Sequence, residues 1–150
     1  GTITDDDWFR TGDVATLDLG EDGHRWLHIV GRIKDIIIRG GENISAAEVE
    51  GVLESHPSVA QAVAVGYPDE RLGERVCAFV VCRDDARGPG AAFDLDECRR
   101  WFEAAGVTRF KWPERVERIE HLPVLASSGK ADRAALRRRA VQVSPTSQES

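Results

Sequence analysis

The chain has 150 residues, enough for one domain or for one domain with part of another. Hydrophobic residues make up 41% and charged residues 31%, the balance of a chain that buries a core beneath a solvated surface. A net charge of −6 argues against nucleic acid as the main partner, and no apolar run approaches the roughly 18 residues of a transmembrane helix.

No methionine occurs, and Gly1-Thr2-Ile3 leads straight into Thr4-Asp5-Asp6-Asp7. The chain is therefore expected to be a piece of something longer. Residues 15–19 alternate, with Ala15, Leu17 and Leu19 on one face. The turn Gly20-Glu21-Asp22-Gly23 contains Asp-Gly, a hairpin signal, and residues 26–30 form the return strand. Gly31 ends this unit. Ile36-Ile37-Ile38 predicts a short buried strand followed by a turn at Gly40-Gly41. Ser45-Ala46-Ala47-Glu48 is a capping box, so a helix is expected from Ser45, with Val49, Val52 and Leu53 as its apolar stripe. His56-Pro57 stops it.

Residues 59–65 and 76–81 read as strands separated by the loop Tyr67-Pro68-Asp69-Glu70, and residues 83–92 as a Gly/Pro-containing loop. Asp94-Leu95-Asp96-Glu97 caps a second helix with Leu95, Cys98 and Phe102 inward, closed by Gly106. Residues 115–119 are a third strand candidate. A last helix is expected near Lys130, carrying Leu136, and the Ser/Pro/Thr/Gln-rich tail over 142–150 is expected to be disordered. Strands and helices mix without regular βαβ alternation. That pattern predicts an α+β fold, a small sheet with helices packed on it.

Few residues carry chemistry unaided. Cys77, Cys82 and Cys98 form no CxxC pair, and Cys77 and Cys82, five apart in a strand, should point to opposite faces. They read as buried free thiols in a reducing cytosol. The four histidines lack metal-ligand spacing, so no metal is assigned. Gly129-Lys130 fails as a phosphate-binding P-loop, because Val124 and Ala131 stand where Gly and Ser or Thr are needed. Taken alone, Lys130 reads as a solvated lysine. Gly40-Gly41 reads either as a plain turn or as backbone that a thin ligand can approach closely. Arg137-Arg138-Arg139 reads as the solvated face of the last helix.

Three blocks taken together say more. Trp8-Phe9-Arg10-Thr11-Gly12-Asp13 resembles the W-[YF]-x-T-G-D motif of the adenylate-forming superfamily, which holds the acyl-CoA synthetases, luciferase and peptide-synthetase adenylation domains. The stretch from Gly31-Arg32-Ile33-Lys34-Asp35 through Glu50 resembles that family's G-R-x-[DK]-D…G-E-x-I block. Leu122-Pro123 and Ser128-Gly129-Lys130 resemble its terminal L-P…[ST]-G-K motif. Gly66-Tyr67-Pro68-Asp69-Glu70 and Phe110-Lys111-Trp112-Pro113 fall in order between them. The Gly-Gly-Glu-Asn variant looks like the acyl-CoA synthetase branch. Ser45-Ala46-Ala47 lacks the family's usual proline, and Val124-Leu125 replaces its Arg-Thr.

The resemblance implies the C-terminal part of an ATP-dependent acid–thiol ligase. Such an enzyme activates a carboxylic acid, here a fatty acid, as acyl-AMP and transfers it to coenzyme A. Residues 1–33 would be the end of the large domain, a hairpin, and residues 34–141 the small mobile domain. Lys130 would be catalytic, orienting the carboxylate and the α-phosphate. Asp13 and Arg32 would bind the nucleotide, Lys34 and Asp35 would form the hinge, and Gly40, Gly41 and Glu42 would line the CoA tunnel. ATP with Mg would be held mainly by an N-terminal domain absent here, so this part alone is expected to be inactive. The alternatives are a non-catalytic module that kept the fold and an adenylation domain loading a carrier-protein thiol. A cytoplasmic location is expected, with peripheral membrane association open for the full-length protein. The hairpin over residues 14–30, lacking neighbouring strands, is expected to self-associate or fold back onto the small domain.

Overall fold

The first hairpin is set by its turn. In the computed structural model, which describes residues 3, 5, 8–83 and 93–142, β1 (Asp13–Leu19) pairs antiparallel with β2 (Arg25–Arg32). Gly23 takes a φ of 77°, and its N–H donates to the Gly20 carbonyl at 2.9 Å. A register shift between Val14 and Ala15 bends β1 near its start. Both strands lie apart from the second sheet, with Leu17 facing Leu27 and Ala15 facing Ile29 across the ladder. Leu17, Leu19, Trp26, Leu27 and Ile29 are solvent-exposed, and the hairpin meets the rest of the chain at the end of β2, where the Ser45 hydroxyl donates to the Val30 carbonyl.

A 3₁₀ turn (Ile33–Asp35) leads into the second sheet, built from β3 (Ile36–Arg39), β4 (Glu42–Ser45), β5 (Val59–Asp69), β6 (Gly73–Cys82) and β7 (Arg115–Arg118). β6 is its axis. It pairs with β5 along its length on one side, and with β3 at Gly73 and β7 over Cys77–Val80 on the other. β7 runs parallel to β6, and every other pairing is antiparallel. The α+β expectation holds.

Alternation along β5 and β6 builds two cores. Ala62, Ala64, Val76, Ala78 and Val80 face α1 (Ala46–Glu54) and α2 (Leu95–Ala104), with Leu53, Phe93 and Phe102 packed among them. Val63, Val65, Cys77 and Phe79 face α3 (Arg133–Gln142) through Leu136 and Ala140. Cys77 thus sits in one core while Cys82 packs against the other, as their odd spacing requires. Burial pushes the Cys77 thiol up to about 11 and the Cys98 thiol up to about 12. Caps close the helices where the sequence places them. The Ser45 hydroxyl accepts from Glu48 N–H at 3.4 Å, and the Asp94 carboxylate from Glu97 N–H at 2.8 Å. His56 is buried after α1, edge-on to Phe93 and Trp101, with Nε2 3.2 Å from a Glu97 oxygen.

Several sequence expectations need correcting. Residues 42–45, to which no strand is assigned between the expected turn and helix, form β4, because Gly40 and Gly41 with φ of 59° and 86° make a two-residue hairpin turn. Only Ile37 of the three isoleucines is buried; Ile38 points the other way and is 54% exposed. Tyr67-Pro68-Asp69 continues β5 instead of forming a loop. Pro68 is tolerated there because β5 is an edge strand that need not donate outward. The last helix starts at Arg133, capped by Asp132, whose carboxylate accepts from Ala135 N–H at 2.9 Å. Gln142, expected in the tail, closes that helix; residues 143–150 and most of the 83–92 loop lie outside the described residues.

The open edge of β5 is covered from α1. Glu50 accepts from Ala64 N–H at 2.8 Å and Glu54 from Ala62 N–H at 3.1 Å. Two glutamates four apart on one helix face thereby satisfy edge donors that would otherwise invite another strand.

Candidate functional site

Lys130 sits at the end of a tight loop that precedes α3. Its carbonyl accepts from Leu125 N–H at 2.8 Å, and the Leu125 carbonyl accepts from Gly129 N–H at 2.8 Å. Gly129 supplies the positive φ of 67° that closes the loop. A bridge between Val124 and Ala131 holds its base. The backbone is therefore fixed while the Lys130 side chain is exposed, and among the described residues no carboxylate pairs with it. Val124 and Leu125, both exposed, make the approach apolar.

The loop opens onto the 3₁₀ turn Ile33–Asp35. A depression of about 540 Å³ is lined by the charged residues Arg32, Lys34, Asp35, Lys130, Asp132, Arg133 and Arg137. Arg32 pairs with Asp13, and Arg133 with Glu50 and Asp35, which leaves Lys34, Lys130 and Arg137 without a carboxylate partner among the described residues and the lining positive, suited to a phosphate or carboxylate. A second depression of about 780 Å³ shares Arg32 and Lys34 and continues to Thr11, Gly12 and Asp13. Asp13 and Arg32 face each other across the hairpin ladder, with Arg32 Nε 3.4 Å from Asp13 Oδ1. The fold thus brings together Asp13, Arg32, Lys34, Asp35 and Lys130, whose sequence positions span more than a hundred residues.

Gly40, Gly41 and Glu42 lie elsewhere. They form the exposed turn at the far end of β3 from Lys34 and Asp35, and line neither depression. Gly40 N–H donates to the Leu72 carbonyl at 2.7 Å, and a Cβ on Gly41 would meet nothing within 4 Å. This is open backbone that a narrow ligand can approach. Among the described residues no group of His, Cys, Asp and Glu has the geometry of a metal site.

Two residues escaped the sequence reading. Arg133 donates through Nη1 and Nη2 to both oxygens of Glu50, at 2.7 and 2.9 Å, and through Nη1 to the Ala64 carbonyl at 3.0 Å. Its Nε lies 3.7 Å from Asp35 Oδ1. Burial alone would push Arg133 down, but the Glu50 bonds and the charges of Glu50 and Asp35 outweigh it and raise it. Arg137 donates to the Lys34 carbonyl at 3.0 Å. Of the expected solvated Arg run, Arg139 also finds partners, in Glu117 at 3.1 Å and the Phe79 ring at 5.9 Å; Arg138 is exposed. The one sequence signal was Glu50 itself, a carboxylate beside the buried Val49.

The family model described as the AMP-binding enzyme C-terminal domain matches residues 48–130. The chain is 45% identical over 144 residues to a 2-hydroxy-7-methoxy-5-methyl-1-naphthoate–CoA ligase of Streptomyces carzinostaticus, covering 96% of this chain and 24% of that protein. It is 41% identical over 136 residues to a medium-chain fatty-acid–CoA ligase of Escherichia coli (strain K12), covering 91% and 22%. Among solved structures it is similar to the o-succinylbenzoate CoA synthetase of Bacillus subtilis in complex with its acyl-adenylate intermediate. The TM-score there is 0.74 at 33% identity, with 89% of this chain and 25% of that one covered. The chain thus spans about a quarter of the length of the relatives it matches.

Proposed function

The chain belongs to the AMP-binding enzyme C-terminal domain family of the adenylate-forming ligases, and from that premise we propose that it is the mobile domain of an ATP-dependent acid–thiol ligase, with its entry hairpin. In the first step a carboxylate oxygen attacks the α-phosphorus of ATP, the bond to the β-phosphate breaks, and pyrophosphate leaves. In the second, the sulfur of coenzyme A attacks the acyl-adenylate carbonyl, the bond to AMP breaks, and the thiol proton is released. A fatty acid is the substrate this reading favours, and the fatty-acid–CoA ligase among the relatives supports it. An aromatic carboxylate is the runner-up, supported by the naphthoate ligase.

One observation carries the reading: Lys130 shares a positive depression with the interdomain turn, next to Asp13 and Arg32, while the Gly40–Gly41 turn stands apart. Lys130 would offset charge on the α-phosphate and align the carboxylate. Asp13 would accept from the ribose hydroxyls, and Arg32 would lie by the ribose and α-phosphate. Lys34 and Asp35 would form the hinge, with residues 1–33 before it and the mobile domain from 34 onward. Gly40, Gly41 and Glu42 would flank the pantetheine arm in the second step. Magnesium would travel with the nucleotide, held by residues outside this chain. A cytoplasmic location belongs to the same reading, supported by three free thiols.

ATP–pyrophosphate exchange tests this directly. The isolated chain is expected to show none, because it supplies one wall of a two-domain cleft; the full-length protein should exchange with fatty or aromatic acids. Carboxylate-dependent exchange by the chain alone, or none by the full-length protein, would overturn the reading.

The same chain in isolation is expected to self-associate through residues 14–30. Leu17, Leu27 and Ile29 share one exposed hairpin face, Leu27 and Ile29 each 68% exposed, and burial of such side chains contributes roughly 1.5–3 kcal/mol each. Light scattering should give a dimer or larger for this chain and a monomer for a version starting at Gly31. Two monomers would refute it.

A further inference from the structure

The interdomain turn is anchored differently on its two sides. On the hairpin side, Ile33 N–H donates to the Gly12 carbonyl at 2.8 Å. On the other side, the carbonyl of the next residue, Lys34, accepts from Arg137 Nη2 at 3.0 Å, and the Asp35 carboxylate faces Arg133 Nε at 3.7 Å. Arg133 is itself fixed on Glu50 and the Ala64 carbonyl. Between the anchored amide and the anchored carbonyl lie only the backbone torsions of Ile33 and Lys34.

We propose that Arg137 and Arg133 are positioning residues that weld the Lys34–Asp35 peptide to α3, confining the interdomain pivot to Ile33 and Lys34. The inference rests on reading Lys34 as the pivot. α3 follows the Lys130 loop directly, so the weld makes the catalytic lysine and the downstream side of the pivot one rigid unit. Any rotation at Lys34 is then delivered to Lys130 without loss in an intervening soft segment. Among the bonds that cross the pivot and must break when it turns are Ile36 N–H to the Ile33 carbonyl and the Ser45 hydroxyl to the Val30 carbonyl. Gly31 permits the second. It holds a φ of 156°, and a Cβ there would lie 2.9 Å from Ser45 Oγ. The Arg137 Nε is buried without a partner among the described residues, a cost kept for the bond to Lys34.

Backbone ¹⁵N relaxation on this chain tests the proposal without nucleotide, acid or coenzyme A, so its outcome is independent of the ligase reading. In the unmodified chain the order-parameter minimum should fall at Ile33 and Lys34, with Asp35 near the rigid value of about 0.85. Arg137→Met should drop Asp35 below about 0.6 with the thermal midpoint unchanged, Arg137→Lys should restore it, and Asp35→Asn should loosen the same amide. Arg138→Met, on the exposed neighbour, should change nothing. An Asp35 amide already mobile in the unmodified chain, or one unmoved by Arg137→Met and Asp35→Asn, would overturn the weld.

Discussion

If the full-length protein is the proposed ligase, Lys130→Ala in it is expected to slow acyl-adenylate formation by roughly 10²–10³-fold, the usual loss when one preorganised donor to a developing oxyanion is removed. Thioester formation from supplied acyl-adenylate should stay within a few-fold. The split follows from geometry. The Lys130 side chain is exposed and pairs with no carboxylate among the described residues, while its backbone is held by Leu125 and Gly129. Truncation therefore leaves the loop standing, and stability should move by no more than about 0.5 kcal/mol. The turn proposed for the second step, Gly40-Gly41, stands at the other end of β3 and loses nothing. Lys130→Arg should recover little, because a planar fork does not replace a compact ammonium. Separate measurement of the two half-reactions decides it; equal loss in both would refute the role given to Lys130.

The parts legible in the sequence were those set locally. The Asp22-Gly23 turn, the Ser45 and Asp94 caps and the strand runs over 59–65 and 76–81 each depend on residues within a few positions, and each is found in the structure, the two runs within longer strands. β4 was not legible, because Glu42-Asn43-Ile44-Ser45 holds one apolar side chain and its pairing follows from the two-residue turn before it. The parallel β6–β7 pairing joins residues nearly forty positions apart, which no local pattern encodes. The candidate site divides the same way. Lys130, Asp13 and Arg32 stood in recognisable motifs, but their adjacency needed the fold. Arg137 meets Lys34 across 103 positions and Arg133 meets Glu50 across 83, so an arginine run read as a solvated face hid one contact and an unremarked arginine the other.

Arg133→Met should have the largest effect on stability. Glu50 is a 14% exposed carboxylate whose oxygens take two bonds from Arg133, and its remaining donor is Ala64 N–H. Removing one partner of a buried pair costs about 3–5 kcal/mol, because the other keeps its charge without compensation. Arg133 is 26% exposed, so water can enter and the lower end, about 3 kcal/mol, is expected. That is a fall of roughly 10 °C in thermal midpoint for a domain of this size. The charge is the cause, so neutralising it should rescue. Glu50→Gln keeps an acceptor for Ala64 N–H, and the double variant Glu50→Gln with Arg133→Met should be more stable than Arg133→Met alone. A double-mutant cycle by denaturant unfolding reads the coupling, expected at about 2 kcal/mol. Strictly additive losses would mean that Arg133 contributes by packing its stem and that the Glu50 contact is incidental. A large coupling places one ion pair beneath three features at once: the covered edge of β5, the start of the helix behind Lys130, and the Asp35 side of the 3₁₀ turn that follows β2.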